Sequence, residues 1–199
     1  MKTFSLKMTL IFSMLLLSGC WDRVEINDIA LVLAAGIDLV EDEQIELSLQ
    51  ISIPTAMGGG QQAEGGVGAG NKGTSVETAR GKTVYDAMTK LQAKVPRRIF
   101  WGHLRAIFIG EKWAKSGIQP QLDCFARHPQ PRLRAYLFVS KGDPKELLNI
   151  QPEIESNTAE VAREITEFQV GLDVSLKDLF EMLTEEGGDA VLPWIKTEK

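Results

Sequence analysis

The sequence predicts a single α+β domain with one mixed or antiparallel sheet and packed helices, behind a short apolar leader. Three observations carry that expectation. An apolar run, Ile29 to Gly36, and a cleanly alternating run, Gln44 to Ile53, read as an N-terminal hairpin. After them, apolar strands and segments with helical spacing take turns to the end of the chain. Strands paired first and then separated by helices suit a sheet with helices packed on it.

The leader comes first in the chain. Lys2 and Lys7 give a positive start, Met8 to Leu17 (MTLIFSMLLL) is almost wholly apolar, and small Ser18 and Gly19 precede Cys20. That order is the layout of a cleaved secretory signal. The cysteine makes it resemble a bacterial lipobox, which implies cleavage between Gly19 and Cys20 and a covalent diacylglycerol and N-acyl lipid on Cys20. Two or more acyl chains make a durable anchor, since each buried methylene adds roughly 0.8 kcal/mol and one chain alone holds only marginally. A plain signal peptide, a signal anchor and a buried helix are the alternatives. The apolar run is too short for a bilayer core that needs about 20 residues, and a core helix would not open the chain behind two lysines. Residues 1–19 are therefore expected to be a lipoprotein signal and 20–199 a tethered domain on the outer face of a membrane.

Loss of the signal removes two lysines and takes the formal charge from −5 to −7. An acidic domain argues against nucleic acid and against a polybasic grip on anionic lipid. With Cys20 acylated, Cys124 is the only thiol left. Stability must then come from packing and not from an internal disulfide.

Each later element has its own signal. Ile29 to Gly36 (IALVLAAG) suits a buried strand. In the next, Ile45, Leu47, Leu49, Ile51 and Ile53 share one face and Glu46, Ser48, Gln50 and Ser52 the other, with Asp38 to Glu43 as the polar connection. Pro54 stops that strand, and residues 57–73 (MGGGQQAEGGVGAGNKG) offer almost nothing to bury, so a flexible glycine-rich loop is expected. Val84, Ala87, Met88, Leu91 and Val95 recur at helical spacing up to Pro96. Leu104 to Ile109 reads as a strand, Glu111 to Phe125 as a helix broken around Gly117 and Pro120, and Leu133 to Ser140 as another strand before the turn Gly142 Asp143 Pro144. Two helices follow, one with Val161, Ile165 and Phe168 on a shared face. The other opens at Ser175 with Asp178 as its capping-box partner and Leu176, Leu179, Phe180 and Leu183 as its stripe. Gly187 and Gly188 end it, and Val191 Leu192 Pro193 Trp194 closes the chain as a short apolar segment. Strand order does not follow from these patterns.

Catalytic signatures fail. Gly81 Lys82 Thr83 ends like a phosphate-binding loop, but Val76 stands where the leading glycine belongs and no apolar strand runs into it. Gly66, Gly68 and Gly70 lack the dinucleotide spacing. Cys124 and His128 are four apart, yet His103 is the only other histidine, and zinc needs three or four protein ligands. Cys124 is better read as a small core residue beside Leu122 and Phe125. There is no Gly x Ser x Gly elbow, and Glu185 and Glu186 are adjacent on the surface of a helix rather than paired across a cleft. No enzyme, metal site or cofactor is expected.

What remains is a constellation. Cys20 Trp21 Asp22 Arg23 Val24 Glu25 Ile26 Asn27, followed by Gly36 Ile37 Asp38, resembles the start of the Ger(x)C lipoproteins, the C subunits of bacterial spore germinant receptors. Gly102 to Gly110 (GHLRAIFIG), with Glu111, Trp113 and Ala114, is similar to that family's mid-domain block. Arg132 to Gly142 (RLRAYLFVSKG) and Leu192 Pro193 are similar to its later strands. The resemblance implies a noncatalytic, lipid-anchored subunit on the outer face of the spore inner membrane, assembled with an A subunit and a polytopic B subunit and needed for nutrient-triggered germination. It also implies that the family's C-terminal region is absent from this chain. Trp21, Asp22 and Glu25, just behind the anchor, are candidate contacts with those partners or the membrane. Alternatively, Trp21 packs under the first strand and the acids keep the stalk soluble. A solute-binding lipoprotein of an importer is the second functional reading, though such proteins usually have two lobes around a cleft.

Overall fold

A computed structural model of the chain describes residues 28–52, 73–168, 170–185 and 189–197. The leader, Pro54 and the glycine-rich segment through residue 72, and Gly187 and Gly188 lie outside the described residues.

The first strand organises everything else. β1 (Ile29–Leu39) and β2 (Ile45–Ser52) form the expected antiparallel hairpin, joined by a single 3-10 turn at Glu41–Glu43. The connection is tighter than the polar run Asp38 to Glu43 suggests, because Asp38 and Leu39 still pair with Glu46 and Ile45. β3 (Thr74–Gly81) adds antiparallel to β2. On the other side of β1 lie β4 (Arg98–Phe100) and β5 (Ala106–Gly110), both parallel to it, then β6 (Tyr136–Ser140) and β7 (Trp194–Ile195), also parallel. The mixed seven-stranded sheet runs β3-β2-β1-β5-β6-β7, with β4 also on β1.

The sheet is covered on both faces. One face carries Val32, Ala35, Ile37, Leu47, Leu49, Ile107, Ile109 and Leu137. It is covered by α1 (Val84–Lys94), α2 (Glu111–Ser116), α3 (Gln119–Arg127) and α6 (Leu176–Thr184). The other face is smaller: Ala34, Ala106, Phe108 and Phe138 lie under α4 (Pro144–Leu148) and α5 (Thr158–Glu167). A register shift between Val32 and Ala34 lets Leu33 and Ala34 both turn to this second face, which is what an extra residue in one strand of a pair does.

The second cover buries polar residues of β2 and corrects the reading of α5. Ser48 and Gln50 of β2 are 1% exposed. Ser48 shares a hydrogen bond with Thr78 of β3 (2.9 Å), and Gln50 Nε2 donates to the Leu148 carbonyl at the end of α4 (2.8 Å). In α5 the buried face is Thr158, Ala159, Ala162 and Thr166, whereas Phe168 is 74% exposed and Val161 and Ile165 are only half-buried. Small residues win there because the space above the sheet is already filled by Phe108 and Phe138, whose rings stack 5.8 Å apart. A strand does run into Gly81 Lys82 Thr83, but as expected it is not an apolar one. It is an edge strand of half-buried Thr, Ser, Glu and Val, and Val76 lies inside it, so no loop is free to wrap a phosphate.

The remaining elements start and stop as local chemistry directs. Thr83 caps α1 by accepting from the Asp86 amide (3.1 Å) and Val95 ends it before Pro96. Pro120 sits in the first turn of α3, where it costs no hydrogen bond, so it opens that helix after the break at Gly117. Leu104 and Arg105 precede β5, and Leu133 and Arg134 form a turn before β6. Asp143 caps α4 by accepting from the Lys145 amide (2.8 Å). The Ser175–Asp178 capping box at α6 is complete, with Leu176 and Leu179 buried and Phe180 and Leu183 packed beside them.

Candidate functional site

Gly19, Cys20, Trp21, Asp22 and Glu25 lie outside the described residues. The later blocks of the resemblance meet at the end of the sheet where the parallel strands stop. Asp38, the last residue of the Gly36 Ile37 Asp38 block, lies against Gly110. A Cβ on Gly110 would fall 2.0 Å from the Asp38 Cγ, so only glycine fits there. The reason is a borrowed helix cap. Gly110 stands at the N-cap of α2 and has no side chain to offer. Asp38 Oδ1 supplies the acceptor instead, taking the amides of Leu39 (2.8 Å) and Trp113 (3.4 Å), while the Trp113 ring is 1% exposed in the core. Burial pushes the Asp38 carboxyl above its ordinary range; the two amides and Lys112 pull the other way, and Asp143 adds to the rise. Gly36 is tight for a similar reason, since a Cβ there would meet the Pro144 ring of α4 at 2.9 Å. The signal for this cap is legible in principle: a helix that starts behind glycine needs its acceptor from elsewhere in the chain.

Cys124 and His128 do come together, on the wall of an apolar groove of about 650 Å³ between α1 and α3. Tyr85, largely exposed, lies on the opposite wall, and Gln121 ties the two helices by accepting from the Val84 amide (3.3 Å). Chemistry is withheld from the pair. Burial pushes the Cys124 thiol up to about 12, with Asp123 adding to the rise, so at neutral pH it is a thiol and neither a nucleophile nor a ready ligand. Burial holds His128 below its ordinary value, and its Nδ1 accepts from the Gln130 amide (3.3 Å). Cys124 packs against the core beside Leu122 and Phe125 as the sequence suggests, though only partly buried. His103 stands apart, edge-on to Phe100, and is held low by burial and by Arg105 and Arg132. Among the described residues no group of three His, Cys, Asp or Glu is placed to hold a metal ion, and no helix is long and apolar enough to cross a membrane.

At the far edge, Lys141 Nζ sits 3.7 Å over the Trp194 ring. Beside it the Val139 amide donates to the Pro193 carbonyl (2.8 Å), which joins the Arg132 to Gly142 block to the Leu192 Pro193 block.

Comparison with known proteins spans the same blocks. The family model described as the spore germination protein N-terminal domain matches residues 22–197. The putative spore germination protein YfkR of Bacillus subtilis (strain 168) is 39% identical over 185 residues, which is 93% of this chain and 48% of that protein. Spore germination protein KC of the same organism is 32% identical over 94% of this chain and 47% of its own length. Spore germination protein GerQC of Bacillus cereus is 26% identical over 94% of this chain and 49% of its own. The chain thus spans about half the length of the curated relatives it matches. No solved structure matches it. The chain belongs to the Ger(x)C family of spore germination proteins, whose N-terminal domain it carries.

Proposed function

We propose that the chain serves in a nutrient germinant receptor as a noncatalytic lipoprotein subunit, anchored through Cys20 on the outer face of the spore inner membrane and assembled with A and B subunits. One observation carries the reading: the family match begins at residue 22, directly behind the lipobox-like Leu17 Ser18 Gly19 Cys20, and continues to residue 197. Relatives named spore germination proteins A3, B3 and KC support the receptor setting. An anchor raises the local concentration of the domain beside membrane partners, so contacts of modest strength suffice. Trp21, Asp22 and Glu25 are proposed to supply such contacts.

The test is germination of spores lacking this coding segment, in a background without other nutrient receptors. The expected result is loss of the nutrient response with a normal response to a nutrient-independent trigger. An unchanged nutrient response would overturn the proposal.

A further inference from the structure

The chain is acidic as a whole, yet two of its segments contain no Asp or Glu. Residues 97–105 (RRIFWGHLR) and 127–134 (RHPQPRLR) together hold six arginines and both histidines. The fold brings them to one end. Arg98 pairs in register with Ile29, at the very start of β1. The Trp101 amide donates to Gln130 Oε1 (3.3 Å), and the Trp101 ring lies 6.3 Å from His128. The Tyr136 amide donates to the Arg105 carbonyl (2.8 Å), so the turn Arg132–Arg134 stands next to Arg105 where β5 and β6 begin. Arg127 pairs with Asp123 and Arg105 with Glu160. Arg97, Arg98, Arg132 and Arg134 have no ion-pair partner among the described residues. Arg98, Arg132 and Arg134 are exposed, and between the last two Leu133 is 40% exposed.

The same end is where the anchor attaches. Eight residues, 21–28, separate Cys20 from Ile29, and eight residues extend at most about 28 Å. We propose that this arginine end docks on the anionic phospholipid headgroups of the membrane that holds Cys20, with the starts of β1, β4 and β6 turned toward the bilayer and Leu133 at the headgroup level. The proposal rests on the anchor at Cys20. It revises the inference drawn from net charge, because a surface potential decays within about 10 Å at 0.1 M salt and therefore reads the near end of a molecule and not its total. Each arginine within that distance of an anionic leaflet is worth roughly a fivefold gain in surface affinity.

The experiment uses the full anchored chain on phosphatidylcholine vesicles, with and without phosphatidylglycerol. A fluorophore is placed at Leu133→Cys in a Cys124→Ser background, and a quencher is carried on the lipid headgroup. Flotation on neutral vesicles reads the anchor by itself, and its failure overturns the anchor while the quenching still judges the arginines. Quenching is expected to rise when phosphatidylglycerol is added and to fall back in high salt. The variant Arg97→Glu/Arg98→Glu/Arg132→Glu/Arg134→Glu should float equally on neutral vesicles and lose that rise, and the milder Arg132→Gln/Arg134→Gln should lose part of it. Lys82→Glu/Lys115→Glu, at the opposite end, should keep it. No rise in the parent chain, or an equal rise in the arginine variants, overturns the proposal; pairing of the arginines with Asp22 and Glu25, or with an acidic protein surface instead of lipid, would give that result.

Discussion

Asp38 shows how one side chain can be asked for two incompatible things. As an acceptor for the Trp113 amide it replaces the missing cap of α2, and as a half-buried carboxylate it resists ionisation. Its folded pKa lies above the unfolded one, so its contribution to stability is full below the ordinary carboxylate value and is lost as pH rises through the raised folded value. Asp38→Asn keeps the acceptor and discards the charge. It should therefore equal or exceed the parent in stability at neutral pH, with the difference vanishing in acid. Asp38→Ala, which discards the acceptor as well, should cost about 1 kcal/mol, and Gly110→Ala about 1–3 kcal/mol by overpacking against Asp38. Urea denaturation at neutral and acidic pH measures all three; a neutral-pH loss in Asp38→Asn as large as in Asp38→Ala would refute the borrowed cap. Cys124 offers a second residue-scale check. In a Cys20→Ser chain its reaction with a thiol reagent near pH 8 should run at least about a hundredfold slower when folded than when unfolded, given a thiol displaced to about 12.

At the scale of elements, the divided core decides which sequence patterns mean what they say. β2, α1 and α6 are legible from sequence because each presents apolar residues at a regular period to the larger core, as with Val84, Ala87, Met88 and Leu91, and β1 because it is buried on both faces and apolar along most of its length. β3 is not, because an edge strand built from Thr74, Ser75, Val76, Glu77 and Thr78 buries too little to leave an apolar signal. β4 is too short, and α4 hides behind a turn signal that is in fact its cap. The face of α5 misleads outright: its large residues Val161, Ile165 and Phe168 draw the eye, while the close approach to Phe108 and Phe138 admits only alanine and threonine. Ala162→Leu should therefore destabilise the chain by about 1–3 kcal/mol. Phe168→Ser should stay within about 0.5 kcal/mol of the parent. If thermal or urea unfolding ranks the two the other way round, α5 packs by its large residues after all. Of the candidate site, the sequence offers the residue types and the family blocks. The meeting of Asp38 with Gly110, and of the two arginine segments, is created by register between strands far apart in the chain, which no local pattern encodes.

Over the whole molecule, anchor and domain form a single device only if the stem between them matters. Trp21, Asp22 and Glu25 stand between Cys20 and the start of β1 at Ile29, so with the proposed lipid on Cys20 a contact made there would be presented at the membrane at no cost in diffusion. Two accounts of the stem compete: partner contact, or packing of Trp21 against the domain with the acids as solubilising charge. They differ in what fails when the residues are removed. Loss of packing lowers stability, and with it the amount of protein in the membrane fraction, because a change of only 1–2 kcal/mol alters abundance several-fold. Loss of a partner contact leaves the amount alone and weakens the response. Trp21→Ala/Asp22→Ala should accordingly slow nutrient-triggered germination while leaving the anchored quantity and the unfolding midpoint unchanged, and Cys20→Ala should remove the protein from the membrane fraction altogether. Immunoblots of spore membranes beside germination curves read both. A fall in anchored protein that matches the fall in germination would assign the stem to packing, and a normal response with normal amounts would strip it of either role.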